Sequence, residues 1–75
     1  MIREHERAIL TIDLPEHRLK AGDVGTIVHV YGEDQGYEME FFTVDGNTLA
    51  VVTVSVAHVR PVGTLEVLHA RPLAS

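Results

Sequence analysis

The chain has 75 residues, of which 45% are hydrophobic and none is cysteine, and its formal net charge is −5. Such a chain can build one small domain, and its hydrophobic content excludes intrinsic disorder. The lack of cysteine excludes disulfides, thiolate nucleophiles and cysteine-based metal sites. An acidic balance disfavours general binding to phosphate backbones, and no apolar run has the length of a membrane span. We therefore expect a cytoplasmic domain with no cofactor and no membrane partner.

The first half of the chain predicts two strands separated by a polar loop. Alternation over residues 8–14 predicts a strand that Pro15 ends, because proline cannot donate to a ladder. Residues 24–31 predict a second strand, with Gly25 at a bend or a close backbone contact. Strict alternation in this strand assigns residues to two opposite faces, Val24, Thr26, Val28 and Val30 on one and Ile27, His29 and Tyr31 on the other.

Two further strands and a short closing strand follow. After a turn at residues 32–36, apolar residues alternate with Glu38 and Glu40, which predicts a half-buried third strand. Asp45-Gly46 is a hairpin signal, and residues 48–54 return as a fourth strand. Residues 55–58 suit one 3₁₀ turn, and residues 59–62 suit a short edge strand that tolerates proline.

Together these elements predict an all-β fold, a small SH3-like antiparallel barrel of about five strands with a short 3₁₀ turn before the last strand. The barrel domain is expected at residues 8–62, after an N-terminal extension at residues 1–7. Residues 63–75 form a C-terminal tail whose periodicity fits either a strand or a helix. We expect this tail to provide an extra strand or an interface segment.

A resemblance to known proteins rests on a longer pattern, which comprises Asp13-Leu14-Pro15, Leu19 through Tyr31, Tyr37-Glu38-Met39-Glu40-Phe41, Asp45-Gly46-Asn47-Thr48-Leu49 and Arg60-Pro61. Over residues 6–62 this pattern resembles a small bacterial family numbered 4926 among domains of unknown function. The turn and strand at residues 19–28 are also similar to the KOW motif of ribosomal and transcription-elongation proteins. The resemblance implies an SH3-like fold in a bacterial cytoplasmic protein. It carries over no catalytic residue, and it makes an antitoxin-like or immunity-like role a candidate.

Histidine and serine raise two chemical alternatives, a metal site and a nucleophile. The five histidines are too far apart in sequence for two ligands to lie on one element, although His17, His29 and His58 could meet at one end of the barrel. Ser55 and His58 form a local pair, but the Gly-x-Ser-x-Gly motif of a nucleophile elbow is absent. We therefore expect neither a catalytic residue nor a metal ligand.

Acidic residues around the third strand form the candidate binding site, which comprises Glu33, Asp34, Glu38 and Glu40 with Phe42 as an aromatic anchor. Glu38 and Glu40 share a solvated strand face, so no acid–base pair with separated pKa values is expected. Aromatic residues dominate binding hot spots, and charges steer association. A partner of basic or mixed charge fits this surface, and the alternative is an ordinary solvated acidic face.

The predicted function is a non-catalytic protein–protein interaction module, such as an antitoxin-like, immunity-like or accessory subunit. The alternative is a KOW-like nucleic-acid-binding module, which the local shortage of basic residues disfavours. A homodimer through the sheet edge or the C-terminal tail stays open, because an unpaired edge offers free N–H and C=O groups.

Overall fold

The computed structural model describes residues 2–33 and 35–73. Within these residues, five antiparallel strands form one sheet in the order β4-β3-β2-β1-β5. The strands are β1 (Arg7–Leu10), β2 (Val24–Tyr31), β3 (Gly36–Phe42), β4 (Thr48–Val54) and β5 (Val59–Pro61). Two 3₁₀ turns lie at Pro15–His17 and Val56–His58. The predicted all-β fold, with five strands and a 3₁₀ turn before the last one, is confirmed.

The sheet is open rather than closed into a complete barrel. Strands β4 and β5 are its two edges, and in the described part of the chain no ladder joins them. Strand β5 has only three residues and ends at Pro61, which lacks an N–H group. Closure through β5 would therefore gain few hydrogen bonds, and both edges keep unpaired backbone groups.

One side of the sheet forms the hydrophobic core. In strand β3 the two sides of the sheet differ clearly, because Tyr37, Met39 and Phe41 are buried while Glu38 and Glu40 are partly exposed. The other buried members of the core cluster are Ile2, Ala8, Leu10, Leu19, Ile27, Val52, Val54 and Val59. Burial of each large apolar side chain contributes about 1.5–3 kcal/mol, so this inner face is the main source of stability.

The predicted assignment of β2 residues to the two faces of the sheet is wrong after Ile27. Residue pairing with β3 passes from Ile27–Met39 to His29–Glu38, so Val28 is an extra residue in a bulge. The bulge reverses the alternation, because cross-strand partners lie on the same face. Thr26 therefore shares the outer face with His29, whereas strict alternation separates the two.

Strand β1 is shorter than its alternation predicts. It ends at Leu10, and its last three residues are all buried. The chain then leaves the sheet, with Thr11 N–H donating to His58 O, and Leu14 pairs with Leu19 in an isolated bridge. The apolar residues at positions 12 and 14 thus belong to the β1–β2 loop, whose Leu19 is buried in the core.

The two terminal segments differ in how they join the sheet. Ile2 is buried in the core cluster, and Arg7 already belongs to β1. In the tail, residues 63–73 contain no strand, and most of them are exposed. No helix among the described residues is long and apolar enough to cross a membrane.

Candidate functional site

The outer face of strands β2, β3 and β4 carries a surface that we call the acidic patch, defined as Tyr31, Glu38, Glu40, Phe42 and Val51. The sheet register brings these residues together. Glu38 lies opposite His29 on β2, and Glu40 lies opposite Val51 on β4. Because opposite residues in an antiparallel sheet share a face, the patch continues across three strands.

Both carboxylates of the patch are held by neutral hydroxyl groups. Tyr31 Oη donates to Glu38 Oε1 at 2.5 Å, and Thr48 Oγ1 donates to Glu40 Oε2 at 2.6 Å. The hydrogen bond to Glu38 raises the pKa of the Tyr31 hydroxyl above its ordinary value. The ion pairs formed among the described residues involve neither Glu38 nor Glu40. The two carboxylates are therefore oriented by the protein but not neutralised by it.

Three large apolar side chains lie exposed in the patch. The exposed fractions are 38% for Tyr31, 48% for Val51 and 52% for Phe42. Phe42 lies opposite Thr48, whose hydroxyl reaches Glu40, so Phe42 belongs to the same face as the carboxylates. The patch thus combines oriented negative charge with apolar area that water covers in the free protein.

The predicted site residues reach different places. Glu38, Glu40 and Phe42 lie together in the patch, and Glu33 is exposed in the turn after β2. Asp34 lies outside the described residues. Sequence reasoning missed Tyr31 and Val51 as members. Pairing residues 48–54 with the third strand across the Asp45-Gly46 hairpin would have indicated Val51.

A basic residue borders the patch on the β1 side. Arg7 is exposed and lies opposite Thr26, which in turn lies opposite Glu40. Two strand spacings, about 10 Å, separate Arg7 from Glu40 along this register. The face is therefore acidic on β3 and carries a positive charge at its margin.

His29 and Ser55, which belong to the metal-site and nucleophile alternatives, both contact neighbouring residues in the structure. Among residues 2–33 and 35–73, no group of three or more histidine, aspartate or glutamate side chains could hold a metal ion. His29 packs edge-to-face on Tyr31 at 4.5 Å between ring centroids, and its Nδ1 lies 3.6 Å from Glu4 Oε2. Ser55 Oγ accepts a hydrogen bond from Ala57 N and so caps the second 3₁₀ turn.

The sequence of the chain matches a known protein family. The model of the family described as Domain of unknown function (DUF4926) matches residues 4–61. The chain belongs to the DUF4926 family. No curated protein and no solved structure gave a match. The match to the DUF4926 family includes all five strands and the acidic patch, whereas Val62 and the C-terminal tail lie beyond it.

Proposed function

We propose that this DUF4926 protein is a non-catalytic module that binds another protein through the acidic patch. The observation that carries the proposal is the pair Glu38 and Glu40, which hydroxyl groups orient and no cation among the described residues neutralises. Exposed apolar side chains surround this pair. A partner surface of basic or mixed charge with an apolar centre complements such a patch.

The two kinds of side chain have different roles in this proposal. The carboxylates of Glu38 and Glu40 attract the partner and raise the association rate, since complementary charge steers encounter. Phe42 and Tyr31 supply the area that is desolvated on docking and so slow dissociation, since buried aromatic residues dominate hot spots. Arg7 at the margin of the face selects a partner of mixed charge over a uniformly basic one.

The biological role that we propose is that of an antitoxin-like, immunity-like or accessory subunit in the bacterial cytoplasm. Its support is the negative surface, since an acidic module can cover a basic functional surface on its partner. The resemblance to a bacterial family adds to that support.

The competing function is nucleic-acid binding through the KOW-like turn. An acidic face repels phosphate, and Asp23 within this segment already holds a cation, Arg71. We therefore expect the protein to pass through a single-stranded or double-stranded nucleic-acid column at low salt. Retention that is lost on adding salt would favour the competing function.

Affinity capture from the native host tests the proposal. Wild type, Glu38→Lys/Glu40→Lys and Phe42→Ala serve as baits, and captured proteins are quantified by mass spectrometry. Glu16→Lys is the charge control, because Glu16 is exposed in the first 3₁₀ turn, away from the patch strands. A protein captured by wild type and by Glu16→Lys, but depleted at least about tenfold by the patch variants, supports the proposal. A specific partner that all four baits capture equally contradicts it.

A further inference from the structure

The C-terminal tail folds back onto a groove beside the acidic patch. We call it the tail groove, and its wall includes Leu19, Asp23, Val24, Phe42 and Leu49. Tail residues between Leu68 and Leu73 line the same groove. Leu19 is buried in the core, and Phe42 is half-exposed at the junction with the patch. The groove therefore offers an apolar wall with one carboxylate in it.

Arg71 anchors the tail to that carboxylate. Arg71 Nε donates to Asp23 Oδ1 at 2.8 Å, and Arg71 Nη2 donates to Asp23 Oδ2 at 2.6 Å and to Arg18 O at 2.9 Å. The side chains are only 26% exposed for Arg71 and 17% for Asp23. Parallel hydrogen bonds to both carboxylate oxygens give this contact a geometric preference for a guanidinium over an ammonium group.

The loop before β2 orients the carboxylate of Asp23. Lys20 N donates to Asp23 Oδ2 at 2.9 Å, which fixes the carboxylate at the start of β2. Partial burial acts to raise the pKa of Asp23, but the hydrogen bonds from Arg71 and Lys20 hold the pKa below its ordinary value. Without a guanidinium this partly buried carboxylate would lose its ion partner, so the groove favours a segment that supplies one.

The remainder of the tail is held weakly. Within residues 63–73, the main-chain hydrogen bond outside regular structure is Glu66 N to Gly63 O, in a turn that the Arg60–Glu66 ion pair closes. Leu65 and Val67 are 98% and 93% exposed. The tail beyond this turn thus depends on Arg71 and on the apolar contacts of the groove, and it can leave without breaking a strand ladder.

We propose that the tail groove is a peptide-binding site for an extended segment with an arginine flanked by apolar residues, and that the chain's own tail occupies it in cis. The partner is a protein that presents such a segment and displaces the tail. The chemistry is read from the occupant, since Leu68 and Leu73 bracket Arg71 along the groove. The groove shares Phe42 with the acidic patch, but its charged group, Asp23, lies outside that patch.

The cis contact sets a bound on affinity. A short flexible connection gives an effective concentration on the order of millimolar. If the tail is bound in the groove most of the time, the intrinsic dissociation constant of the tail segment from the groove is below about 1 mM. The same segment supplied in trans must bind with that affinity once the cis copy is weakened.

A titration by NMR tests the proposal on the full chain. The probe is a synthetic peptide with the sequence of residues 64–73, and a second peptide carries alanine in place of the arginine. The receptors are wild type, Arg71→Ala and Arg71→Lys. The lysine variant retains the charge but lacks the paired N–H donors of a guanidinium. Arg60→Ala is the matched control, because it breaks the other ion pair of the tail, which lies outside the groove.

We expect the arginine peptide to saturate Arg71→Ala with a dissociation constant below about 1 mM and to shift the signals of Val24, Phe42 and Leu49. Binding to wild type and to Arg60→Ala should be weaker because their own tails compete, and Arg71→Lys should be intermediate. The alanine peptide should bind at least about tenfold more weakly, as expected for the loss of a charged hydrogen-bond pair. Absence of saturation at millimolar peptide, equal binding by both peptides, or equal binding to wild type and Arg71→Ala would overturn the proposal.

Discussion

Gly25 shows at the residue scale how one absent side chain shapes the sheet. A Cβ atom at this position would lie 2.7 Å from Phe41 Cε2 and 3.0 Å from Glu40 O. The predicted close contact at Gly25 is therefore confirmed, and the glycine lets β2 approach β3 where Phe41 enters the core. A glycine within the predicted second strand indicated the position, but the partner on β3 could be known only from the register.

Substitution of Gly25 should cost stability. We expect Gly25→Ala to lower the free energy of unfolding by about 1–3 kcal/mol, since overpacking forces the Phe41 ring and the backbone apart. Chemical denaturation measures the change. Gly63→Ala is the control, because Gly63 lies outside the strands and its Cβ would meet only the Glu66 side chain, with Oε1 at 3.1 Å. Equal stability of both variants and wild type would show that the sheet accommodates the added atom.

Glu66 provides a titration at the same scale. Its hydrogen bonds from Arg60, together with that from Gly63 N, lower the pKa of Glu66 from 4.5 to about 2. A lowered folded-state pKa stabilises the turn above the ordinary value, and this contribution is lost as the pH falls towards about 2. Carboxyl NMR titration should show the low pKa in wild type and a rise in Arg60→Ala. An unchanged pKa in that variant would contradict the role of Arg60.

At the scale of elements, the tail should respond to acid through Asp23. Because the folded-state pKa of Asp23 lies below its ordinary value of 3.8, the Asp23–Arg71 contact contributes fully above that value. It weakens as the pH falls through the lower, folded-state pKa. We expect the methyl signals of Leu68 and Leu73 to shift towards random-coil positions in that acidic range. Asp23→Asn should remove this pH dependence, and a tail that releases at the same pH in the variant would point to another group.

The strands and their turns were largely predictable, because each depends on local chemistry. The predicted bounds of the second and fourth strands match β2 and β4, and the positive φ of Gly46 fits the Asp-Gly hairpin. The bulge at Val28 was not predictable, since it depends on pairing with β3. The Arg71–Asp23 contact joins residues 48 positions apart, and local sequence patterns do not indicate contacts over such a separation.

The candidate site was predictable in part for the same reason. Alternation along one strand was enough to place Glu38 and Glu40 together. The Asp45-Gly46 hairpin would have indicated Val51 as their neighbour, whereas recognition of Tyr31 required the register of β2 with β3. The hydroxyl donors that orient the carboxylates likewise come from β2 and β4, so the sequence indicated the charge of the patch but not its fixed geometry.

The whole molecule distributes its charge unevenly. Its ion pairs hold the tail at Arg60–Glu66 and Arg71–Asp23, whereas the carboxylates on β3 have no cation partner among residues 2–33 and 35–73. Glu38 and Glu40 thus contribute to the net charge of −5 without a cation beside them in the described part of the chain. Because Glu38 and Glu40 are partly exposed and form no ion pair with a described residue, we expect charge reversal in the patch to leave the melting temperature nearly unchanged while it alters binding.

The association rate constant with the purified partner tests the central claim most directly. Stopped-flow or surface-plasmon measurements at low and at high salt would compare wild type, Glu38→Lys and the charge-matched Glu16→Lys. We predict that Glu38→Lys lowers the rate constant at least about tenfold at low salt and flattens its salt dependence, whereas Glu16→Lys resembles wild type. Equal rate constants for Glu38→Lys and Glu16→Lys at both salt concentrations would contradict binding through the acidic patch.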